Sequence, residues 1–98
     1  MAKVVWTKQA DRWLLKIHDY IARDSPENAF RVVESIYRRA QILADFPDVG
    51  HSYTTATGRK LRILLWGRYR IVYHRPKDDE VHVIGVYHGA MKMSEYLR

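Results

Sequence analysis

The fold of this 98-residue chain is decided by residues 61–73, which read LRILLWGRYRIVY. On both sides of Gly67, side chains alternate with a period of two, which is typical of two antiparallel strands joined by a tight turn. The alternation predicts that Ile63 and Ile71 pack on one face of a sheet, with Arg62 and Arg70 projecting from the other. We therefore expect a β-hairpin whose turn lies at Gly67.

The residues that follow extend this hairpin. A turn signal at residues 76–79, PKDD, precedes the alternating run VHVIGVYH at residues 81–88, which predicts a third antiparallel strand and thus a meander. Its alternation places His82 and His88 on the same face. Residues 52–58 are polar and predict a loop, and residues 92–97 suit a short terminal helix or an extended tail.

Two helices are predicted upstream. Residues 3–6 form a short strand, Thr7 can cap the first helix, and Ser25 followed by Pro26 is a strong start for the second, which should end before Pro47. The short link between the helices requires an antiparallel hairpin. We expect one α+β domain over residues 1–98, in the order β-α-α-β-β-β, with the helical hairpin packed on an antiparallel sheet of three to four strands.

Composition excludes several classes of protein. The chain has no cysteine, so disulfides, cysteine-bound zinc and thiol catalysis are ruled out. No apolar run approaches the roughly 20 residues that a membrane span needs. The first residues, MAKVVW, do not follow the pattern of a signal peptide. A soluble, cytoplasmic protein without a membrane partner is expected.

The net charge of +6 is unevenly distributed. Residues 1–50 sum to +1 and residues 51–98 to +5, and no acidic residue lies between Asp48 and Asp78. A basic block of this kind favours a polyanion or an acidic protein as partner, although it can also be a solvated face that keeps the protein soluble. The residues predicted to bind a partner or nucleic acid are Arg59, Lys60, Arg62, Arg68, Arg70 and Arg75.

One group of side chains could carry chemistry. If Arg62, Arg70 and His88 converge on one face of the sheet, the arginines can bind phosphate and the imidazole can transfer a proton. Such a site could cleave RNA without a metal, with the ribose 2′-OH as nucleophile. The alternative is that Arg70 is structural and His88 a packed residue at the end of a strand. Neither a metal nor a cofactor is expected, and a small-molecule ligand is not expected either.

The order of the motifs resembles the RelE/ParE superfamily, the toxins of bacterial type II toxin–antitoxin pairs, over almost the whole chain. The resemblance rests on motifs in both halves of the chain: Val5-Trp6-Thr7 with Ala10, residues 17–22, Ser25-Pro26 with Ala29, Phe46-Pro47-x-x-Gly50, Leu61-Arg62, residues 69–73, and Val86-Tyr87-His88-Gly89. It implies a toxin that inhibits bacterial growth and that binds a cognate antitoxin, which wraps a flexible segment around it. An acidic segment of that kind would suit the basic half of the chain.

The branch of the superfamily decides the target. The helical hairpin, Pro47-x-x-Gly50 and the His88-Gly89 exit look ParE-like, which implies poisoning of DNA gyrase without any chemistry. Arg70 and His88 also fall where RelE- and YoeB-like nucleases, which cleave mRNA on the ribosome, keep a catalytic arginine and histidine. Arg62 falls near a catalytic lysine of RelE. A further catalytic residue of those nucleases is replaced by Gly89, for which Lys92 or Tyr96 could substitute. A homologue that binds an antitoxin without being toxic is the third reading.

Overall fold

The predicted β-hairpin lies within a five-stranded sheet in the computed structural model, which describes residues 1–97. Gly67 occupies its turn with a φ of 57°, a conformation that glycine adopts without strain. The strand order is β1-β5-β4-β3-β2. The strands are β1 (Lys3–Trp6), β2 (His51–Thr54), β3 (Lys60–Trp66), β4 (Tyr69–Lys77) and β5 (Glu80–His88).

The α+β class is confirmed, but the sheet is larger than predicted and is not wholly antiparallel. His51–Thr54, placed mostly in a loop by the sequence, forms an edge strand paired with β3. Polar residues on an exposed edge give little alternation, so this strand has a weak signal. At the other edge, β1 pairs with β5 in parallel, and a pairing between such distant segments has no local signal.

Both helices begin where the sequence predicts. The helix α1 (Lys8–Ala22) is capped by Thr7, whose hydroxyl accepts the backbone N–H of Ala10, and α2 (Pro26–Ala40) is capped by Ser25. The predicted end of the second helix, close to Pro47, was too late. The α-helix ends at Ala40, and Gln41–Ala44 continues as a 3₁₀ helix.

The sheet has a core on each face. Under the helical hairpin lie the larger buried side chains Leu14, Ile36, Leu43, Leu64, Ile71, Tyr73, Val81, Val83 and Val86. The second face, which the sequence left open, carries a smaller cluster of Leu61, Ile63, Val72, Ile84, Tyr87, Met93 and Leu97. Its last two members come from the C-terminal segment, which contains the predicted short helix as a 3₁₀ helix at Met93–Glu95.

The register of the hairpin corrects the predicted faces. A turn of two residues sets Trp66 opposite Tyr69, which pairs Leu64 with Ile71 and Ile63 with Val72. Even-numbered residues of β3 therefore share a face with odd-numbered residues of β4. The prediction that Ile63 and Ile71 share a face was wrong, because Ile71 lies under the helices and Ile63 lies on the second face.

A β-bulge in the last strand corrects a second prediction. Val72 pairs with Gly85, whereas Tyr73 pairs with Val83, so that Ile84 is an extra residue on β5. The extra residue inverts the alternation beyond it. His82, opposite His74, and His88, opposite Tyr69, therefore lie on opposite faces rather than on the same face.

Candidate functional site

Arg70 is hydrogen-bonded to the backbone at the end of β5 and just after it. It lies opposite Tyr87 on the second face of the sheet, and its Nη2 atom lies 3.2, 3.3 and 2.6 Å from the carbonyl oxygens of His88, Gly89 and Met91. Its Nε is buried and has no hydrogen-bond partner among the described residues. The two N–H groups of this nitrogen are thus shared among three carbonyl groups, and Arg70 acts as a brace for the segment after β5.

We call residues 89–97 the C-terminal strap. At its start, the N–H of Gly89 donates to the carbonyl of Arg68 at 2.7 Å. At its end, Met93 and Leu97 are buried in the second core. The strap therefore turns back across the second face. Hydrogen bonds hold its start, and the burial of apolar side chains holds its end.

The two proposed substitutes for a missing catalytic residue lie on this strap. Lys92 is exposed. The ring of Tyr96 packs edge-on against Trp13, with their centroids 5.2 Å apart, and lies 5.8 Å from the ring of Tyr87. Tyr96 thus helps to fasten the strap to α1 and β5.

His88 points toward the helices. Its Nδ1 accepts the backbone N–H of Ala90 at 3.1 Å, so a neutral imidazole carries its proton on Nε2. Its ring meets Tyr69 edge-on at 5.7 Å. Both residues line a cavity of about 470 Å³ whose other walls include Trp13 and Ile17 of α1. Burial raises the pKa of the Tyr69 hydroxyl, with nearby Arg68 opposing the shift, so Tyr69 remains a neutral donor at physiological pH.

Arg62 is engaged at a different place. Its Nη1 donates to the carbonyl oxygens of Asp48 and Gly50, at 3.1 and 2.7 Å. Its Nε lies 3.6 Å from a carboxylate oxygen of Asp48, and Nη1 of Arg75 lies 2.9 Å from the same oxygen. Arg62 and Arg75 thereby hold the segment that leads into β2.

The three candidate catalytic residues do not converge. Arg62 lies opposite Tyr73 on the face under the helices, whereas Arg70 lies on the second face. The side chains of His88 and Arg70 also lie on opposite faces. Arg62 and His88 share a face, but their partners on β4 are four residues apart, about 13 Å along the strand. The side chains that the sequence grouped as one candidate site therefore do not lie together in the sheet.

The predicted basic surface is divided. Of its six members, Arg59, Lys60 and Arg68 are exposed, and none of the three enters an ion pair within residues 1–97. Arg59 and Lys60 lie at the start of β3, and Arg68 lies just beyond its far end. The other three, Arg62, Arg70 and Arg75, are bonded within the protein, so the surplus charge forms two exposed sites rather than one patch.

A further basic site escaped the sequence analysis. Arg31, Arg38 and Arg39 of α2 line a groove of about 580 Å³ together with Trp66. Their spacing, i, i+7 and i+8, places them near one side of a helix. The spacing of these arginines is the signal of this site in the sequence. It was missed because residues 1–50 have a net charge of only +1, so the charge count gave no sign of a local basic cluster.

Two further features are absent from the part of the chain that the structure describes. No cluster of three or more metal-ligating side chains occurs there. No helix in residues 1–97 combines the length and apolar character that crossing a membrane requires.

These features define a class: a small basic α+β protein with a helical hairpin on one sheet face and a bonded C-terminal strap on the other. The model of the family "ParE toxin of type II toxin-antitoxin system, parDE" matches residues 4–93. A curated relative, Toxin RelE2 of Caulobacter vibrioides, is 38% identical over 90 residues, which cover 92% of this chain and 98% of the relative.

A solved structure has the same fold. It is described as the chromosomal ParDE TA system from P. aeruginosa, and it superposes with a TM-score of 0.73 at 22% identity, covering 90% of this chain and 96% of the other. The chain belongs to the ParE toxin family of type II toxin–antitoxin systems. A toxin of such a system implies a cognate antitoxin as its partner.

Proposed function

We propose that this toxin inhibits growth by poisoning DNA gyrase and not by cleaving RNA. The observation that carries the proposal is the state of Arg70, whose Nη2 is shared by three backbone carbonyls. A nuclease that relied on Arg70 would need its guanidinium free to bind the scissile phosphate and to stabilise the developing charge. A toxin that acts by binding a topoisomerase needs no such group, and there Arg70 serves as a brace.

The proposed resting partner is an antitoxin with an acidic, flexible segment. The exposed Arg59, Lys60 and Arg68 would attract it. The cavity beside His88 offers an apolar wall of Trp13 and Ile17 for side chains of a segment that folds on binding. Since gyrase and the ribosome are cytoplasmic, the proposal also places the protein in the cytoplasm.

A ribosome-dependent endoribonuclease is the second candidate, and one observation favours it. The imidazole of His88 uses Nδ1 for the N–H of Ala90, which leaves Nε2 toward the cavity that it shares with Tyr69. An imidazole in this position can donate or accept a proton if a substrate enters. Arg70 would have to leave the strap before it could assist, and Arg62 would have to act from another part of the face.

A paired assay with the purified chain tests the proposal. We expect inhibition of gyrase supercoiling and no cleavage of mRNA on translating ribosomes. The matched variants are His88→Ala, which removes the imidazole, and His18→Ala, which removes a half-exposed histidine of α1. Both should inhibit gyrase as the wild type does. Cleavage on ribosomes that is lost with His88→Ala alone would establish the nuclease.

Growth in bacteria tests the toxin role itself. Induction of the chain alone should arrest growth, and co-expression of the adjacent antitoxin should restore it. If soluble chain accumulates without any effect on growth, gyrase or ribosomes, the third reading applies, a homologue that binds its antitoxin and is not toxic.

A further inference from the structure

A groove between α2 and the end of β3 combines positive charge with an aromatic wall. Arg31, Arg38 and Arg39 line it, together with Glu34, Ser35 and Trp66. Arg38 forms an ion pair with Glu34 one turn earlier, whereas Arg31 is exposed and enters no ion pair within residues 1–97. Three arginines against one glutamate leave the groove with a net charge of about +2, enough to favour an anionic ligand.

The aromatic wall is fixed in place. Nε1 of Trp66 donates to Oγ of Ser35 at 3.1 Å, and that hydroxyl donates to the carbonyl of Val32 at 2.7 Å. The indole is therefore tied to α2 through two successive hydrogen bonds. Trp66 remains 40% exposed, so part of its ring is open to a ligand in the groove.

Arg39 lies against this wall with an unused donor. Its guanidinium carbon is 5.4 Å from the centroid of the Trp66 ring, within the range of a cation–π interaction. Its Nε is buried and has no partner among the described residues, and leaving such a donor unpaired is costly. Stacking on Trp66 therefore holds the Arg39 guanidinium in place at the wall of the groove.

Helix stability alone does not account for the cluster. Arg38 and Arg39 lie in the last turn of α2, where basic residues interact favourably with the helix dipole. Arg31 is about 10 Å earlier along the helix axis, where that interaction is absent. The stacked Trp66 belongs to the sheet rather than to the helix.

We propose that this groove binds the phosphodiester backbone of single-stranded nucleic acid. Arginine binds phosphate oxygens with a planar set of donors, and the spacing of Arg31 and Arg38 suits phosphates along one strand. The exposed part of Trp66 offers a stacking surface for an unpaired base, which is the usual combination in proteins that bind single strands without sequence preference. The inference goes beyond the proposed function and does not depend on which target the toxin attacks.

The test measures fluorescence anisotropy of labelled 12-nucleotide oligo(dT) and oligo(U) with the purified chain over a salt series. The double variant Arg31→Ala/Arg38→Ala should bind at least about tenfold more weakly and should lower the slope of log K against log salt by about 1.4, since each lost phosphate contact on a single strand accounts for about 0.7. Trp66→Leu should weaken binding by about fivefold or more. The two oligonucleotides distinguish DNA from RNA, and binding of either one supports the proposal.

The control removes the same charge elsewhere. Lys8→Ala/Arg12→Ala changes two exposed residues of α1 and should leave the affinity within about twofold and the salt slope nearly unchanged. Equal losses in the two double variants would overturn the proposal, because binding would then follow net charge alone. Absence of binding at low salt overturns it too. A competition experiment can also overturn it. If a glutamate-rich peptide displaces the labelled oligonucleotide at a lower concentration than unlabelled oligonucleotide does, the groove belongs to an acidic protein segment.

Discussion

Nη2 of Arg70 lies 2.6 Å from the carbonyl oxygen of Met91, and this bond joins the middle of the sheet to the C-terminal strap. Arg70→Met keeps much of the apolar stem and removes every donor. We expect the free energy of unfolding to fall by about 1–3 kcal/mol, as is usual when a hydrogen-bonded charged group is lost. Amide hydrogen exchange should accelerate at residues 91–97 in particular, because the strap loses its polar attachment.

Arg68→Met is the matched control for this experiment. Arg68 is exposed next to the same hairpin turn, and its change should alter stability by less than about 0.5 kcal/mol. Exchange at the strap should then match the wild type. If Arg70→Met leaves strap exchange unchanged as well, Arg70 is not a brace, and the main support for a toxin without nuclease chemistry is lost.

The hydroxyl of Tyr73 accepts the backbone N–H of Gly50 at 2.9 Å inside the protein. Tyr73→Phe leaves that N–H without an acceptor, so we expect a loss of about 1–3 kcal/mol in chemical denaturation. Tyr20→Phe, on a ring that is 71% exposed, should change stability by less than about 0.5 kcal/mol. Equal stability of the two variants would contradict the role given to this bond.

The same contact explains why residue 50 is glycine. A Cβ there would lie 2.8 Å from the ring of Tyr73 and 2.9 Å from the carbonyl oxygen of Ile63. Gly50→Ala should therefore cost about 1–3 kcal/mol through overpacking. The Phe-Pro-x-x-Gly motif thus has a structural reason in this chain, since its glycine lets the segment before β2 approach the core closely.

The two helix caps should differ in their contributions to stability. Thr7 accepts the N–H of Ala10 and also donates to the carbonyl of Val83 at 3.0 Å, whereas Ser25 accepts only the N–H of Asn28. Thr7→Ala should cost about 2 kcal/mol and Ser25→Ala about 1 kcal/mol in thermal or urea unfolding. A larger loss for Ser25→Ala would show that the bond between Thr7 and β5 contributes little.

The parts of the fold that the sequence predicted are those with local causes. The caps at Thr7 and Ser25, the turn at Gly67 and the helical hairpin depend on neighbouring residues. The bulge at Ile84 depends on how β5 aligns with β4, and its effect is to move His88 to the opposite face from His82. The alternating pattern of the sequence does not reveal such a bulge. The prediction that His82 and His88 share a face was therefore wrong.

The candidate site was harder to predict for a related reason. The sequence identified Arg70 as important, and the structure gives it a bonded position, but its partners are backbone carbonyls. Every residue has a backbone carbonyl, so the sequence does not show which carbonyls Arg70 will contact. Arg62 and Arg75 meet at Asp48, an acidic residue that the charge count placed at the border of the basic block and not within it.

Acid should destabilise the protein through His74 on β4 and Glu80 on β5. The ring of His74 meets that of His82 at 5.3 Å, and burial, His82 and Arg59 together lower the pKa of His74 below 6.5. The unfolded chain therefore binds this proton more readily, so the stability that the neutral ring confers is present above pH 6.5 and is lost as the pH falls. A hydrogen bond with His82, assisted by Lys77, lowers the pKa of Glu80 below 4.5, which adds a second loss at lower pH.

Urea unfolding at pH 7.5, 6.5, 5.5 and 4.0 separates the two contributions. Wild-type stability should decline from pH 6.5 to 5.5 and decline further toward pH 4.0. His74→Gln should flatten the first decline and keep the second, since Glu80 still loses its charge. The control is His51→Gln, an exposed histidine on β2 outside this pair, which should leave the whole profile unchanged. A first decline that persists in His74→Gln would place the acid-sensitive group elsewhere, because the neutral amide cannot take up the proton that His74 binds on unfolding.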